Sequence, residues 1–268
     1  MERTENKIAV IVGGGNGIGE ACCELMTERG WKVVVADFDL EGAQQVASRI
    51  NSVAYKIDVR DTKAVEELAA TIEREVGPVE ALAIPAGIVQ DKFHPEEFPM
   101  DLYRNILAVN LEGVFNCCRA FAPYMVKRRK GSIVAIASSS AYIGAQLYAY
   151  GPSKAAVINL TRSLAGEWGR SGVRVNSISP GPTVVKRQLK RGPGRYAPDA
   201  DLHLALGRRL APREIAEGVE FLSSDRASAI TGIDLLMDGG QAAAAGWGFY
   251  GGVPSEEGDR KGVLLREN

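Results

Sequence analysis

The chain has 268 residues, 46% of them hydrophobic and 24% charged, which suits a globular domain with one large core. Its 32 basic and 33 acidic side chains leave a net charge of −1, so no bulk field draws it to nucleic acid or to an anionic membrane. The four cysteines form two adjacent pairs, Cys22-Cys23 and Cys117-Cys118, and the only histidines are His94 and His203; this argues against a zinc site of ordinary spacing and points to reduced thiols in a cytoplasmic protein.

The polar start, Met1 to Lys7, carries no apolar signal core. Lys7 to Val12 is a short β-branched run and reads as a buried parallel strand. Gly13-Gly14-Gly15-Asn16-Gly17-Ile18-Gly19 follows at once, and Ala21 to Arg29 reads as a helix stopped by Gly30. Strand, glycine turn and helix together form a phosphate-binding unit: the glycines let the backbone approach a pyrophosphate, which rests on the helix N-terminus. A second strand, Trp31 to Ala36, ends at Asp37. An acidic residue there accepts hydrogen bonds from ribose hydroxyls and repels the extra phosphate of NADP. Phe38 rather than arginine comes next, and the glycine loop carries Asn16 rather than a base. These features favour NAD.

The alternation continues with a helix over Leu40 to Ile50 and a strand over Val53 to Ile57 that ends at Asp58-Val59. Thr62 to Val76 is an amphipathic helix with Val65, Leu68, Ala69 and Ile72 on one face, broken by Gly77-Pro78. A strand over Val79 to Ile84 runs into Pro85-Ala86-Gly87. One long helix is predicted from about Met100 to Lys127, including Asn110, and its basic end, Lys127 to Lys130, reads as a solvated helix terminus. Then come a strand over Ser132 to Ala137, a helix over Ala149 to Trp168, and a strand over Val173 to Ile178 leading to Ser179-Pro180-Gly181-Pro182. The uncharged run Gly131 to Ser153 is broken by serines, glycines and Gln146, which argues against a membrane span. A basic, Gly/Pro-interrupted segment covers Val184 to Leu210; a helix over Pro212 to Ser223 and a strand over Gly232 to Met237 follow. Strict strand-helix alternation predicts a single α/β domain, a doubly wound parallel sheet with helices on both faces, with ligands beyond the carboxyl ends of its strands.

Tyr150 and Lys154 are four residues apart, so in a helix they share one face, one turn apart. A free tyrosine has a pKa near ~10; a neighbouring ammonium favours the phenolate and makes the pair a tuned acid/base. Ser138, at a predicted strand end, is placed to hold a carbonyl oxygen.

Over Lys7 to Gly240 the chain resembles the short-chain dehydrogenase/reductase family. The resemblance lies in Gly13-x-x-x-Gly17-x-Gly19, Asp58-Val59, Ala86-Gly87, Asn110, Ser138, Tyr150-x-x-x-Lys154, Pro180-Gly181 and the closing stretch from Ser224-Asp225 to Asp238-Gly239-Gly240. It implies a Rossmann-type catalytic domain over residues 1–240, with a substrate lid at about 184–210. The tail, residues 241–268, is then either flexible or packed on a neighbouring subunit of a homotetramer. It further implies that Tyr150 is the general acid/base, Lys154 lowers its pKa and binds the nicotinamide ribose, Ser138 orients the substrate oxygen, and Asn110 holds a water linking Lys154 to solvent. The cofactor, NAD, would meet Gly13, Asn16, Gly17, Ile18 and Gly19 along its phosphates and nicotinamide, with Asp37 and Phe38 at the ribose. Asp58 and Val59 would meet the adenine, Ala86 and Gly87 the adenosine side, and Pro180, Gly181 and Thr183 the carboxamide.

Four departures stand out. Val12 replaces the usual threonine before the glycines; Ile84-Pro85 replaces the common Asn-Asn before Ala86-Gly87; Ser138 lies one residue closer to Tyr150 than usual, which brings Ser139 and Ser140 into contention; and Val185 stands where a threonine often touches cofactor. The expected activity is hydride transfer between NAD and a secondary alcohol or ketone: a sugar, polyol, hydroxy acid or cyclic alcohol. Ser140, Gln146, Arg187 and Arg191 are candidate substrate contacts, with Gln90, Asp91 and His94 as further polar groups. The lid's cations suit an anionic substrate group. Two alternatives are an NADPH-dependent carbonyl or 3-oxoacyl reductase, and a non-catalytic dinucleotide sensor or scaffold. No metal, nucleic acid or membrane partner is expected.

Overall fold

The computed structural model describes residues 7–91, 93–185, 201, 203–250 and 252–253. Seven parallel strands form one sheet in the order β3-β2-β1-β4-β5-β6-β7. They are β1 (Ile8–Val12), β2 (Lys32–Asp37), β3 (Val53–Lys56), β4 (Val79–Ile84), β5 (Gly131–Ile136), β6 (Val173–Pro180) and β7 (Asp234–Met237). The chain winds outward from β1 to β3, then crosses to β4, so the order reverses between β1 and β4 and opens a crevice at their C-terminal ends.

Both faces of the sheet are covered, which is why its strands read as unbroken apolar runs. Along β1 the side chains alternate. Ile8, Val10 and Val12 join one core with Val65, Ile72, Phe121 and Val157; Ala9 and Ile11 join the other with Leu25, Met26, Val46 and Ile215. The first core belongs to α3 (Thr62–Glu75), α5 (Gly113–Arg128) and α6 (Tyr150–Trp168), and the second to α1 (Gly17–Glu28), α2 (Leu40–Arg49) and α7 (Pro212–Ser223). This is the single-domain Rossmann-type α/β fold expected. All four cysteines are free and buried in these cores; burial pushes the Cys22 and Cys118 thiols up to about 12.

The structure corrects three expectations. The long helix is not continuous: α4 (Met100–Leu107) passes through a π turn, Ala108–Glu112, before α5. The wider turn holds Asn110, fully buried, against the neighbouring loop. The basic end of α5 is not merely solvated. Arg128 pairs with Glu73 at 2.6 Å and donates to the Val79 carbonyl at 2.7 Å; Lys130 pairs with Glu80 at 2.8 Å; and Arg129 takes the left-handed C-cap. Finally, the start of the tail is folded onto its own chain as α8 (Gln241–Ala244), with Ala244 buried, while Trp247 and Phe249 are exposed. Among the described residues no helix is long and apolar enough to cross a membrane, and no His/Cys/Asp/Glu cluster could hold a metal.

Candidate active site

A cavity of about 420 Å³ lies at the crevice between β1 and β4. The glycine turn and the first turn of α1 form one wall. Asn16, the N-cap, has extended backbone and makes no side-chain cap bond; the first helical bond runs from Glu20 N to Asn16 O. Among the described residues nothing accepts from the N–H groups of Gly17, Ile18 and Gly19. Uncapped donors at the positive end of a 12-residue helix, facing a cavity, are what a pyrophosphate requires. Gly13 has φ +99°, and a Cβ there would lie 2.4 Å from Ala86 N. That contact is where the ends of β1 and β4 meet, joined by Ala86 N donating to Val12 O at 2.9 Å. Main chain therefore braces the central strands where Ile84-Pro85 offers no side-chain amide.

Asp37 closes the far end of this cavity. Its Oδ2 accepts from Gly15 N at 2.8 Å and its Oδ1 from Asp39 N at 2.9 Å. Beyond the ribose role expected from sequence, this carboxylate thus holds the glycine loop in place. Phe38 beside it is 62% exposed, with Lys56 Nζ 5.9 Å from its ring centroid. Asp58 and Val59, expected from sequence at the adenine, line the same cavity as Ala86 and Gly87. Arg60 grips Asp58 through Nε at 2.9 Å and Nη2 at 2.5 Å, and donates from Nη1 to Asn105 at 2.7 Å. The guanidinium holds the Asp58 carboxyl below its ordinary range. Arg60 and Asn105 also line the cavity, a role that sequence spacing did not reveal.

The second part of the site begins where β5 ends. Ser138 caps a short 3-10 turn, Ser139–Ala141. Its Oγ accepts from Ser140 N at 3.2 Å and from Ser140 Oγ at 2.9 Å. A hydroxyl has two acceptor positions and one proton, so both acceptor positions are taken and the Ser138 proton is left for another oxygen. Tyr150 opens α6, and Lys154 follows one turn on with Nζ 5.8 Å from the Tyr150 ring centroid. Lys154 is 2% exposed, donates to the Ile136 carbonyl at 2.7 Å, and is pushed by burial down to about 8. Asn110 sits beside it. The Asn110 amide donates to Ile88 O at 2.9 Å and to Ser153 Oγ at 3.1 Å, and its oxygen accepts from Ile88 N at 2.8 Å. Ser153 in turn donates to Tyr150 O at 2.7 Å, which ties the π turn to the start of α6. A Cβ on Gly87 would lie 3.2 Å from Lys154 Nζ and 3.4 Å from Asn110 Oδ1, so the three converge.

Gln90 is not where a substrate contact would be. Its side chain is 1% exposed, and its Oε1 accepts from Ala149 N at 2.9 Å and Tyr150 N at 3.1 Å. It caps the helix that carries Tyr150. Asp91 and His94 lie exposed on the surface.

A second cavity, about 380 Å³, adjoins the first; Ile18 and Val185 line both. Ser138, Ser140, Gln146, Tyr150, Pro180, Gly181 and Thr183 surround it, and the Thr183 hydroxyl donates to Gly181 O at 3.0 Å. Gln241 from α8, just past the closing Asp238-Gly239-Gly240 stretch, also reaches it. Among the described residues that line it, none is charged. Arg187 and Arg191, like most of the expected lid, lie outside the described residues.

The family model described as enoyl-(acyl carrier protein) reductase matches residues 13–242. The chain is similar to meso-2,3-butanediol dehydrogenase of Serratia marcescens, 37% identical over 249 residues that cover 91% of this chain and 98% of that protein. It is also similar to D-threitol dehydrogenase of Mycolicibacterium smegmatis, 34% identical over 247 residues, covering 89% and 94%. Among solved structures, one described as ribose-5-phosphate isomerase from Brucella melitensis 16M is similar with a TM-score of 0.91 and 41% identity, covering 94% of this chain and 99% of that one.

Proposed function

The chain belongs to the short-chain dehydrogenase/reductase family, and on that premise we propose that it is an NAD-dependent dehydrogenase of a small, uncharged secondary alcohol of the diol or polyol kind. The coarser statement is that it is an oxidoreductase of alcohol and ketone groups that uses a nicotinamide dinucleotide. The observation that carries the proposal is the buried Lys154 ammonium beside Tyr150, whose side chain lines the cavity that adjoins the glycine-loop crevice.

The residues present fit the cofactor. The uncapped N–H groups of Gly17, Ile18 and Gly19 suit its pyrophosphate, and the Asp37 carboxylate suits a ribose bearing two free hydroxyls. Asp37, with Phe38 rather than arginine after it and Asn16 in the glycine loop, favours NAD over NADP and weighs against an NADPH-dependent reductase. When bound, the nicotinamide supplies the redox chemistry by accepting hydride from the carbinol carbon. The protein handles the proton. Ser138 donates its free hydroxyl proton to the substrate oxygen. Tyr150 takes the hydroxyl proton in oxidation and returns it in reduction. Lys154 in its charged form favours the phenolate that does so, and the Ser138 and Tyr150 hydroxyls stabilise charge developing on the substrate oxygen. Asn110 and Gln90 hold the Tyr150 turn in register from two sides.

The uncharged lining of the described substrate cavity favours a neutral alcohol over an acid or a phosphate. The free, buried cysteines fit a reducing, cytoplasmic setting. A homotetramer paired through α5 and α6 completes the proposal, and a monomer in light scattering at micromolar concentration would overturn that part. The functional test is a panel of neutral diols, hydroxy acids and 3-hydroxyacyl thioesters, followed by nicotinamide reduction with NAD and with NADP. Turnover of neutral diols with NAD is expected; turnover confined to acids or thioesters, or to NADP, refutes the proposal. No turnover with any substrate would favour the non-catalytic sensor.

A further inference from the structure

The chain beyond β7 turns back into the substrate cavity, and the turn is firmly built. Gly239 and Gly240 both take left-handed backbone, at φ +65° and +80°, which favours glycine. Asp238, 5% exposed, accepts from Gly240 N at 2.8 Å and Ala242 N at 2.7 Å. A Cβ on Gly240 would lie 2.5 Å from the Ala205 Cβ, so the turn is also packed from outside. It delivers Gln241 to the cavity that Ser138 and Tyr150 line.

There Ser139 Oγ donates to Gln241 Oε1 at 2.7 Å, and Ser139 is itself 5% exposed. The bond orients the amide: Oε1 is engaged, and Nε2 is the end with protons to give. Among the described residues nothing accepts from it. Ser139 follows Ser138 in the chain, and consecutive Cα atoms are about 3.8 Å apart. A donor anchored on Ser139 therefore stands within a small molecule's length of the oxygen that Ser138 and Tyr150 hold.

We propose that Gln241 is a specificity-determining residue: anchored by Ser139, its amide donates a hydrogen bond to a second oxygen on the carbon next to the reacting one. The site thereby selects a vicinal diol in oxidation and an α-hydroxy ketone in reduction. This rests on the alcohol-dehydrogenase reading above and adds to it a residue and a substrate geometry. A substrate lacking the second oxygen leaves the amide unpaired in an otherwise largely apolar pocket, and sites built to bond a hydroxyl discriminate strongly against analogues without it.

The test compares meso-2,3-butanediol with 2-butanol, which differ by one hydroxyl, in the wild-type enzyme and in Gln241→Met and Ser139→Ala. Methionine keeps the length of the side chain and has no proton to donate. The wild type is expected to favour the diol by roughly 100-fold in kcat/KM. Gln241→Met should lower kcat/KM for the diol by about 10- to 100-fold and leave 2-butanol within about threefold. Ser139→Ala should act in the same direction with a smaller loss, and NADH binding should stay unchanged in both. Equal losses on both alcohols, or a wild type indifferent to the second hydroxyl, overturn the assignment while the dehydrogenase reading stands. A wild type that oxidises neither these alcohols nor any neutral diol of the panel above overturns both.

Discussion

On the NAD reading proposed above, replacing Asp37 by alanine removes three things that can be weighed separately. The first is a brace: Gly15 N and Asp39 N lose their acceptor. Leaving such donors unpaired costs about 1–3 kcal/mol each when buried; Asp37 is 8% exposed, and water can reach part of the vacated space, so about 1–2 kcal/mol in total is reasonable, a fall in Tm of roughly 2–4 °C for a domain of this size. The second is a charged acceptor for the ribose hydroxyls, worth about 1.5–3 kcal/mol, or roughly 10- to 150-fold in affinity for NAD. The third is repulsion of NADP. Two unit charges about 4 Å apart at an effective dielectric near 20 interact by roughly 4 kcal/mol, less after screening by salt. Asp37→Ala should therefore lower kcat/KM with NAD by about 10- to 100-fold, hold or raise it with NADP, and move the ratio by about 100-fold or more. Asp37→Asn keeps one acceptor and drops the charge, so it should recover part of the lost Tm while still relaxing the preference. Steady-state kinetics with both cofactors and a thermal melt of each variant are the assays. A wild-type preference for NADP, or an unchanged ratio in Asp37→Ala, refutes the reasoning and shifts attention to Lys56, the cation beside Phe38, whose replacement by alanine would then abolish NADP use.

Tyr150→Phe should lower turnover by roughly 10²–10⁴-fold while NADH binding, followed by fluorescence, is unchanged; activity within tenfold of wild type would rule out Tyr150 as the acid/base. Gln90→Leu should lower Tm by several degrees, because two donors at the start of α6 lose their acceptor, and should lower kcat far more than it raises KM for NAD; an unchanged kcat would show the cap to be structural only. Lys154 gives a pH dependence. Its folded pKa is about 8 against an ordinary 10.5, so between those values the unfolded chain holds a proton that the folded chain does not, and stability of the cofactor-free protein should rise with pH through that window, by up to roughly 3 kcal/mol. Urea midpoints from pH 7.5 to 10.5 in wild type and Lys154→Met test this; parallel curves would contradict it.

Most of the fold was legible because its determinants are local. A parallel strand buried on both faces shows as an apolar run, and several runs here end at a turn rich in glycine or proline that carries motif residues, as at Gly13, Ala86 and Gly181. What was hidden depends on residues far apart in the chain. Gln90 looked like a free polar group after β4 until α6, 59 residues on, placed its first amides against it. Gln241 lies 102 residues from Ser139 and in no recognisable pattern. Arg60 and Asn105 close one end of the glycine-loop cavity from different elements, β3's following loop and α4. The π turn at Asn110 has no signature in composition; it exists because one buried amide must reach both the N–H and the carbonyl of Ile88.

The same distinction separates three neighbouring serines that the sequence presents as interchangeable. Ser138, Ser139 and Ser140 all border the substrate cavity, and the shorter spacing to Tyr150 leaves open which of them would hold the substrate oxygen. Hydrogen-bond valence separates them. Ser140 spends its proton on Ser138, and Ser139 spends its own on Gln241. Ser138 accepts twice, from the backbone and the hydroxyl of Ser140, and retains its proton. An oxygen that already accepts two hydrogen bonds is polarised toward donating its own proton, since successive hydrogen bonds strengthen one another. Ser140 therefore supports Ser138 as a donor, and Ser139 anchors the amide that reads the next carbon. One residue type, repeated three times, serves the reacting oxygen, its support and its neighbour because three different elements converge on it: the end of β5, the turn after it, and α8 from beyond β7.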